Sequence, residues 1–193
     1  MARPQSKDFD KRKAGILVAA AHLFAFRGFL GASVSELAKL CNTSKSLIYH
    51  YFPSKEDILY GVMSKHLDDL LLVAEAENEA DEPRARLRER TRDFMRLYVD
   101  AADFQKVLLN ELDNLLPNRR ADIVERQRRI IDITRKDITE IAETTEHAMP
   151  RTMLYFGMIN WAQTWFKADR TLSTQDFADL AVDTLLDGID GTH

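Results

Sequence analysis

A single cysteine, Cys41, is all the thiol this chain has, so no internal disulfide staples it, and the composition suits a reducing compartment. Glycine and proline are scarce too, with 7 and 5 in 193 residues, which leaves little material for the many tight turns of a β fold. Strict apolar–polar alternation is missing, as is any apolar run long enough to cross a bilayer. The opening MARPQSKDFDKRKAG is charged and polar, with no apolar stretch of the secretory kind. The five histidines fall in no metal-binding spacing such as HExxH, and Cys41 has no evident histidine partner. These absences lead us to expect a soluble, cytoplasmic protein with no membrane partner, no metal, no cofactor and no catalytic constellation, hence not an enzyme.

What is present is helical periodicity. Apolar residues recur at three- and four-residue spacing nearly throughout, so the expected class is all-α, with about nine helices. The net charge of −4 is unevenly spread: residues 1–60 hold nine Lys/Arg against five Asp/Glu, a balance of +4, and the remainder stands at −8. A Debye length of ~10 Å in 0.1 M salt screens the acidic remainder from a polyanion approaching the amino-terminal end. That end therefore suits nucleic acid.

Residues 1–7 read as a flexible arm. A first helix runs from Asp8 to Arg27, with Ile16, Leu17, Ala20, Leu23 and Phe24 on one stripe and Gly28 as its stop. Ser33 caps a second helix and Glu36 completes a capping box. Asn42 suits the left-handed turn that follows. The third helix covers Ser44–Tyr51 and Pro53 ends it. Ser54 and Asp57 open a fourth helix reaching about Ala80. Pro83 starts a fifth (to about 101) and Asp103 caps a sixth. A seventh spans about 118–146, an eighth Pro150–Lys167 and a ninth Thr174–Gly188. The expected division is 1–55 as a helix-turn-helix domain and 56–193 as a larger helical ligand-binding and dimerisation domain, with the fourth helix as connector.

A helix that lies in a DNA groove needs one apolar and one polar side. In the third helix Ile48 and Phe52 supply the buried side; Lys45, Ser46, Tyr49 and His50 supply the other. Lys45 can pair with guanine or phosphate, Ser44 and Ser46 permit close approach, His50 can meet a base edge, and Tyr49 and Tyr51 can place hydroxyls on phosphate. Lys55 stands at the start of the next helix, where it can hold phosphate.

This segment resembles the TetR/AcrR family of bacterial transcription regulators. The pattern is Ser33-Val34-x-x-Leu37-Ala38, then Asn42-x-Ser44-Lys45-Ser46-x-Ile48-Tyr49-x-Tyr51-Phe52, then Ser54-Lys55-Glu56-x-Ile58-Leu59. Asn42 stands where the family usually has glycine, and Cys41 where it often has alanine. The resemblance implies phosphate contacts from Ser33 and Tyr49, base reading by Lys45, Ser46 and His50, and a backbone clamp at Lys55. It also implies a double-stranded operator as partner, a small-molecule effector and a homodimer.

The eighth segment is apolar nearly all round, so it should be buried on more than one side. Met158 and Trp165 there, with Phe177, Leu180, Ala181, Thr184 and Leu185 on the ninth, are the expected dimer interface. An effector cavity is expected among the fourth to eighth helices. Its candidate lining is Phe94, Tyr98, Phe104, Leu108 and Leu112, then Ile130 and Thr134, then Met153, Phe156, Asn160 and Trp161. The run Ile159-Asn160-Trp161-x-x-x-Trp165-Phe166-Lys167 is similar to relatives that sense acyl-CoA thioesters. Arg119, Arg120, Arg126, Arg128, Arg129 and Arg135 would then meet the CoA phosphates, unless they form an ordinary solvated face. The expected function is a ligand-responsive repressor on a palindromic operator; the alternative is an architectural DNA-binding protein without an effector.

Overall fold

The computed structural model describes residues 7–76, 82–167 and 171–187, which form nine α-helices and two short 3₁₀ turns, with no strand among them. The helices are α1 (Lys7–Arg27), α2 (Val34–Leu40), α3 (Lys45–Tyr51), α4 (Lys55–Glu75), α5 (Pro83–Asp100), α6 (Ala102–Asn110), α7 (Pro117–Ala142), α8 (Ala148–Trp161) and α9 (Thr174–Asp187). The expected arm at 1–7 and the ends of the fourth and ninth helices at Ala80 and Gly188 fall on or run into residues outside the described set. The eighth helix starts two residues earlier than Pro150 and gives way to a 3₁₀ turn at Ala162–Thr164 instead of reaching Lys167.

The chain divides into two compact units. One holds residues 1–66 and 103–123, the other 67–102 and 124–193, so the boundaries fall inside α4, after the first residue of α6 and inside α7. The unit that contains the helix-turn-helix thus also takes most of α6 and the start of α7.

In the first unit each turn is set by side-chain chemistry. Gly28 ends α1 at φ 72°, and its N–H reaches Phe24 O at 2.8 Å. Ser33 and Glu36 form the reciprocal capping box on α2. Asn42 at φ 48° closes α2 in a Schellman turn: its N–H donates to Lys39 O (3.0 Å) and that of Thr43 to Ala38 O (2.9 Å). Ser44 then caps α3, accepting from Leu47 N at 3.1 Å. Ser54 accepts from Asp57 N at 3.0 Å and opens α4. Three consecutive helices are therefore joined by minimal, fully bonded connections. Gly61 lets α4 come close: a Cβ there would lie 3.0 Å from Leu17 Cδ2 and 3.1 Å from Phe52 Cε1. Polar contacts bind α6 and the start of α7 into this unit, from His22 to Asp103 (2.9 Å), Tyr60 to Asp122 (3.0 Å), Arg119 to Asp57 (3.0 Å) and the buried His66 to Gln105 (2.7 Å).

In the second unit Leu67, Leu87, Phe94, Met95, Ile138, Tyr155 and Ile159 are buried in the core. One buried ion pair crosses it, Arg90 with Asp137, and burial pulls the Arg90 guanidinium below its ordinary value. The Tyr155 hydroxyl meets Thr91 Oγ1 at 2.9 Å, and burial pushes its ionisation upward. Helices α5 and α9 are joined by a ladder of charges. Arg84 pairs with Asp187 (3.1 Å), Arg88 with Asp183 (2.6 Å), and Arg92 holds Asp179 through two bonds of 2.7 Å. Arginines and aspartates each recur every four residues, so the two rows face each other only if the helices run antiparallel in this register.

The Arg92 hydrogen bonds hold the Asp179 carboxylate below its usual range. A depressed carboxylate stabilises the fold above its unfolded value, and that gain is lost as pH falls through the folded value. Asp179→Asn should therefore remove about 1 kcal/mol, or ~2–4 °C of Tm, at pH 7. Thermal melts in increasingly acid buffers should show the gap between variant and wild type closing. An equal gap at all pH values would assign the loss to packing instead.

Candidate nucleic-acid interface

Helix α3 has the two-sided character a groove requires. Ile48 is fully buried and Phe52 is 4 % exposed. Ser44, Lys45, Ser46, Tyr49 and His50 all face solvent. Lys45 Nζ lies 5.6 Å from the Tyr49 ring centroid, so the cation and the phenol share one surface. Ser44 Oγ accepts its capping bond and keeps its own proton to give.

Two expected readers stand differently. Ser33 is exposed, but its hydroxyl donates to Glu36 Oε2 (2.8 Å), as does its backbone N–H (2.9 Å). Both donors a phosphate would use are committed, and the Glu36 carboxylate is held low and charged by those bonds. In this conformation Ser33 is a helix cap. Tyr51 is half-buried with its ring 4.6 Å from that of Phe9 on α1, so it serves chiefly as packing between α1 and α3. Lys55 is half-buried, its Nζ 4.2 Å from the Phe29 ring centroid. In that cation–π contact the ammonium itself rests on the Phe29 ring, at the first residue of α4. The sequence reading assigned no role to Lys11, Arg12 and Lys13, which are exposed on α1; Lys13 reaches over the Phe52 ring at 5.6 Å. The unbroken KRK run was the signal for them.

The expected effector lining is only partly brought together. Phe94, Tyr98 and Phe156 form an aromatic cluster, with Phe94 6.3 Å from Tyr98 and 6.5 Å from Phe156. Ile130 and Thr134 are buried, but Thr134 spends its hydroxyl proton on Ile130 O. Asn160 is half-buried. Phe104, Leu108 and Leu112 belong to the other unit. Met153 and Trp161 are 51 % and 67 % exposed on the outer side of α8. An apolar helix gives no internal clue to which side faces out. Of the six arginines proposed for CoA phosphates, five pair with acids: Arg119 with Asp57, Arg120 with Asp113, Arg126 with Asp68, Arg129 with Glu75 and Arg135 with Asp132. Those five form an ion-paired face, and Arg128 is exposed.

The outer strip of α8 holds Met149, Met153, Leu154, Gly157 and Trp161, all exposed. A Cβ on Gly157 would meet nothing within 4 Å. Of the expected interface residues, Trp165, Leu180 and Thr184 are exposed, while Met158 and Leu185 are half-buried and Phe177 and Ala181 are buried within the chain.

Among the described residues no group of three or more His, Cys, Asp or Glu is placed to hold a metal, and no helix is long and apolar enough to cross a membrane. A capped, tightly turned helix pair with one polar face outward defines a helix-turn-helix regulator. Residues 16–61 match the family described as bacterial regulatory proteins, tetR family, and residues 80–189 match the tetracyclin repressor-like C-terminal domain. The chain belongs to the TetR family of bacterial transcriptional regulators. It is 33% identical to a TetR-family transcriptional regulator from Bordetella parapertussis, with a TM-score of 0.86 over 94% of this chain and 97% of that one. A structure of AibR in complex with isovaleryl coenzyme A and operator DNA is 26% identical, with a TM-score of 0.77 over 91% of this chain and 98% of AibR. The transcriptional activator FasR of Mycolicibacterium smegmatis is 34% identical over 80 residues, 41% of this chain and only 36% of FasR.

On this geometry His50→Ala should flatten base preference at one position of a bound duplex while leaving other positions alone, read by competition with a single-substitution duplex panel. Lys55→Ala should instead weaken all duplexes alike and lower the salt slope by about one phosphate equivalent. An unchanged salt slope would remove Lys55 from the interface.

Proposed function

We propose that the chain is a ligand-responsive repressor that binds a palindromic operator as a homodimer, and that a small apolar or acyl-CoA-type effector releases it. The observation that carries this reading is α3: Ile48 and Phe52 anchor it while Lys45, Ser46, Tyr49 and His50 stand in solvent. Seven residues of helix give few base contacts, worth ~1–3 kcal/mol for each good bidentate pair. Pairing two heads on inverted half-sites doubles them and makes specificity useful. The exposed apolar strip of α8 favours such pairing, since monomers seldom leave Met149, Met153, Leu154 and Trp161 together in water. Gly157 within that strip would let a second helix approach closely.

The effector reading draws on AibR, whose complex contains isovaleryl coenzyme A, and on the buried Phe94–Tyr98–Phe156 cluster as the kind of surface that takes an acyl chain. Release follows if the ligand prefers a state in which the two heads stand at the wrong separation. Half-sites lie about one helical turn (~34–36 Å) or a multiple apart, so a small displacement costs contacts in both grooves.

Gly157→Arg tests the assembly without touching the core. The chain alone has room for the side chain, so the variant should fold. It should sediment at the 22.2 kDa chain mass while the wild type sediments at twice that value, and its duplex affinity should fall at least about tenfold. A wild type at single-chain mass, bound to DNA without sequence preference, would favour the architectural alternative.

A further inference from the structure

A cavity lies away from the aromatic cluster. The start of α5, the ends of α7 and α9 and the first turn of α8 enclose about 310 Å³, at the lower end of the ~300–1,000 Å³ typical of small-ligand sites. Its apolar walls include Ile138, Ile141, Ala142 and Leu185, and two arginines, Arg84 and Arg151, complete it.

The charges do not balance. Arg84 is paired with Asp187. The acids of the adjoining α7 turn are taken as well, Asp137 by Arg90 and Arg86 and Glu140 by Arg86. Arg151 has no carboxylate among the described residues, and its Nη1 is buried with no hydrogen-bond acceptor. It also sits in the first turn of α8, which holds no acidic residue and whose N-cap, His147, makes no side-chain capping bond. The positive end of the helix dipole adds to the guanidinium charge there instead of offsetting it. A buried N–H without an acceptor is costly, and a guanidinium fork matches one class of partner above others, a planar carboxylate.

We propose that this cavity binds a small carboxylate with a short apolar tail, the carboxylate on Arg151 and the tail against Ile138, Ile141 and Leu185. Arg151 is half-buried and neighbours the buried Tyr155 in helical register. The proposal does not rest on operator binding or on the dimer and is read on the protein alone.

Calorimetric titration of the full chain with octanoate tests it, with octanol and inorganic phosphate as comparison ligands. Octanoate should bind saturably, at least about tenfold tighter than either, because octanol lacks the charge and phosphate the tail. Arg151→Gln should weaken octanoate at least about tenfold. Ala142→Phe, which keeps the arginine and fills the space, should do the same, and Arg128→Gln on the exposed side of α7 should change nothing. If Arg151→Gln fails to fold, Ala142→Phe decides. No saturable binding, equal binding by Ala142→Phe, or equal affinity for octanol would overturn the proposal. Phosphate binding as tight as octanoate would overturn the apolar tail.

Discussion

One-sided anchoring of a seven-residue helix is the constraint from which the rest follows. An isolated helix of that length is unstable in water, so α3 exists because Ile48 and Phe52 are held by their neighbours and because Ser44 and the Schellman turn at Asn42 satisfy its approach. That leaves its other face with no structural task. Lys45, Ser46, Tyr49 and His50 cost the fold little and are free to be chosen for what they touch. The close approach of α4 at Gly61 presses on the same Phe52, so the reading helix and α4 are packed through one shared side chain.

The second unit spends its charges differently. Arg84, Arg88 and Arg92 face Asp187, Asp183 and Asp179 along two antiparallel helices, which fixes the register of α9 against α5. Surface ion pairs individually contribute little. Three in one register oppose a one-turn slip, because a slip would leave the row misaligned. The register in turn fixes which residues of α8 and α9 are left outward, and the outward set on α8 is apolar. Several acids of this unit are paired locally with arginines, among them Asp137, Asp179, Asp183 and Asp187.

Much of this was legible in the residues. Ser33, Asn42, Ser44, Ser54 and Pro83 each mark a boundary by a mechanism that acts within a few residues, and local mechanisms can be read locally. The helix-turn-helix motif was clear for the same reason. Placement on α8 was not: with apolar residues on every side, periodicity cannot tell Met153 and Trp161 from Phe156 and Ile159, and only the packing against α9 and the core separates them. Ser33 shows a different limit. A serine suited to phosphate and a serine suited to capping look alike until the Glu36 carboxylate is seen taking both of its donors. The α5–α9 ladder was readable in principle, from arginines and aspartates each at four-residue spacing, but nothing in one segment names its partner in the other. The partners of the α7 arginines were no more readable, because their carboxylates are spread over α4, the 3₁₀ turn near Asp113 and α7 itself.

The central claim is that two copies of α3 read inverted half-sites. Selection of bound duplexes from a random-sequence DNA pool by the full-length chain tests it most directly. The account predicts enrichment of an inverted repeat whose half-site centres lie about one helical turn or a multiple apart (~34–36 Å), with the enrichment lost when Lys45 and His50 are both replaced by alanine. Recovery of no preferred sequence, or of a repeat that the double variant enriches equally well, would contradict it.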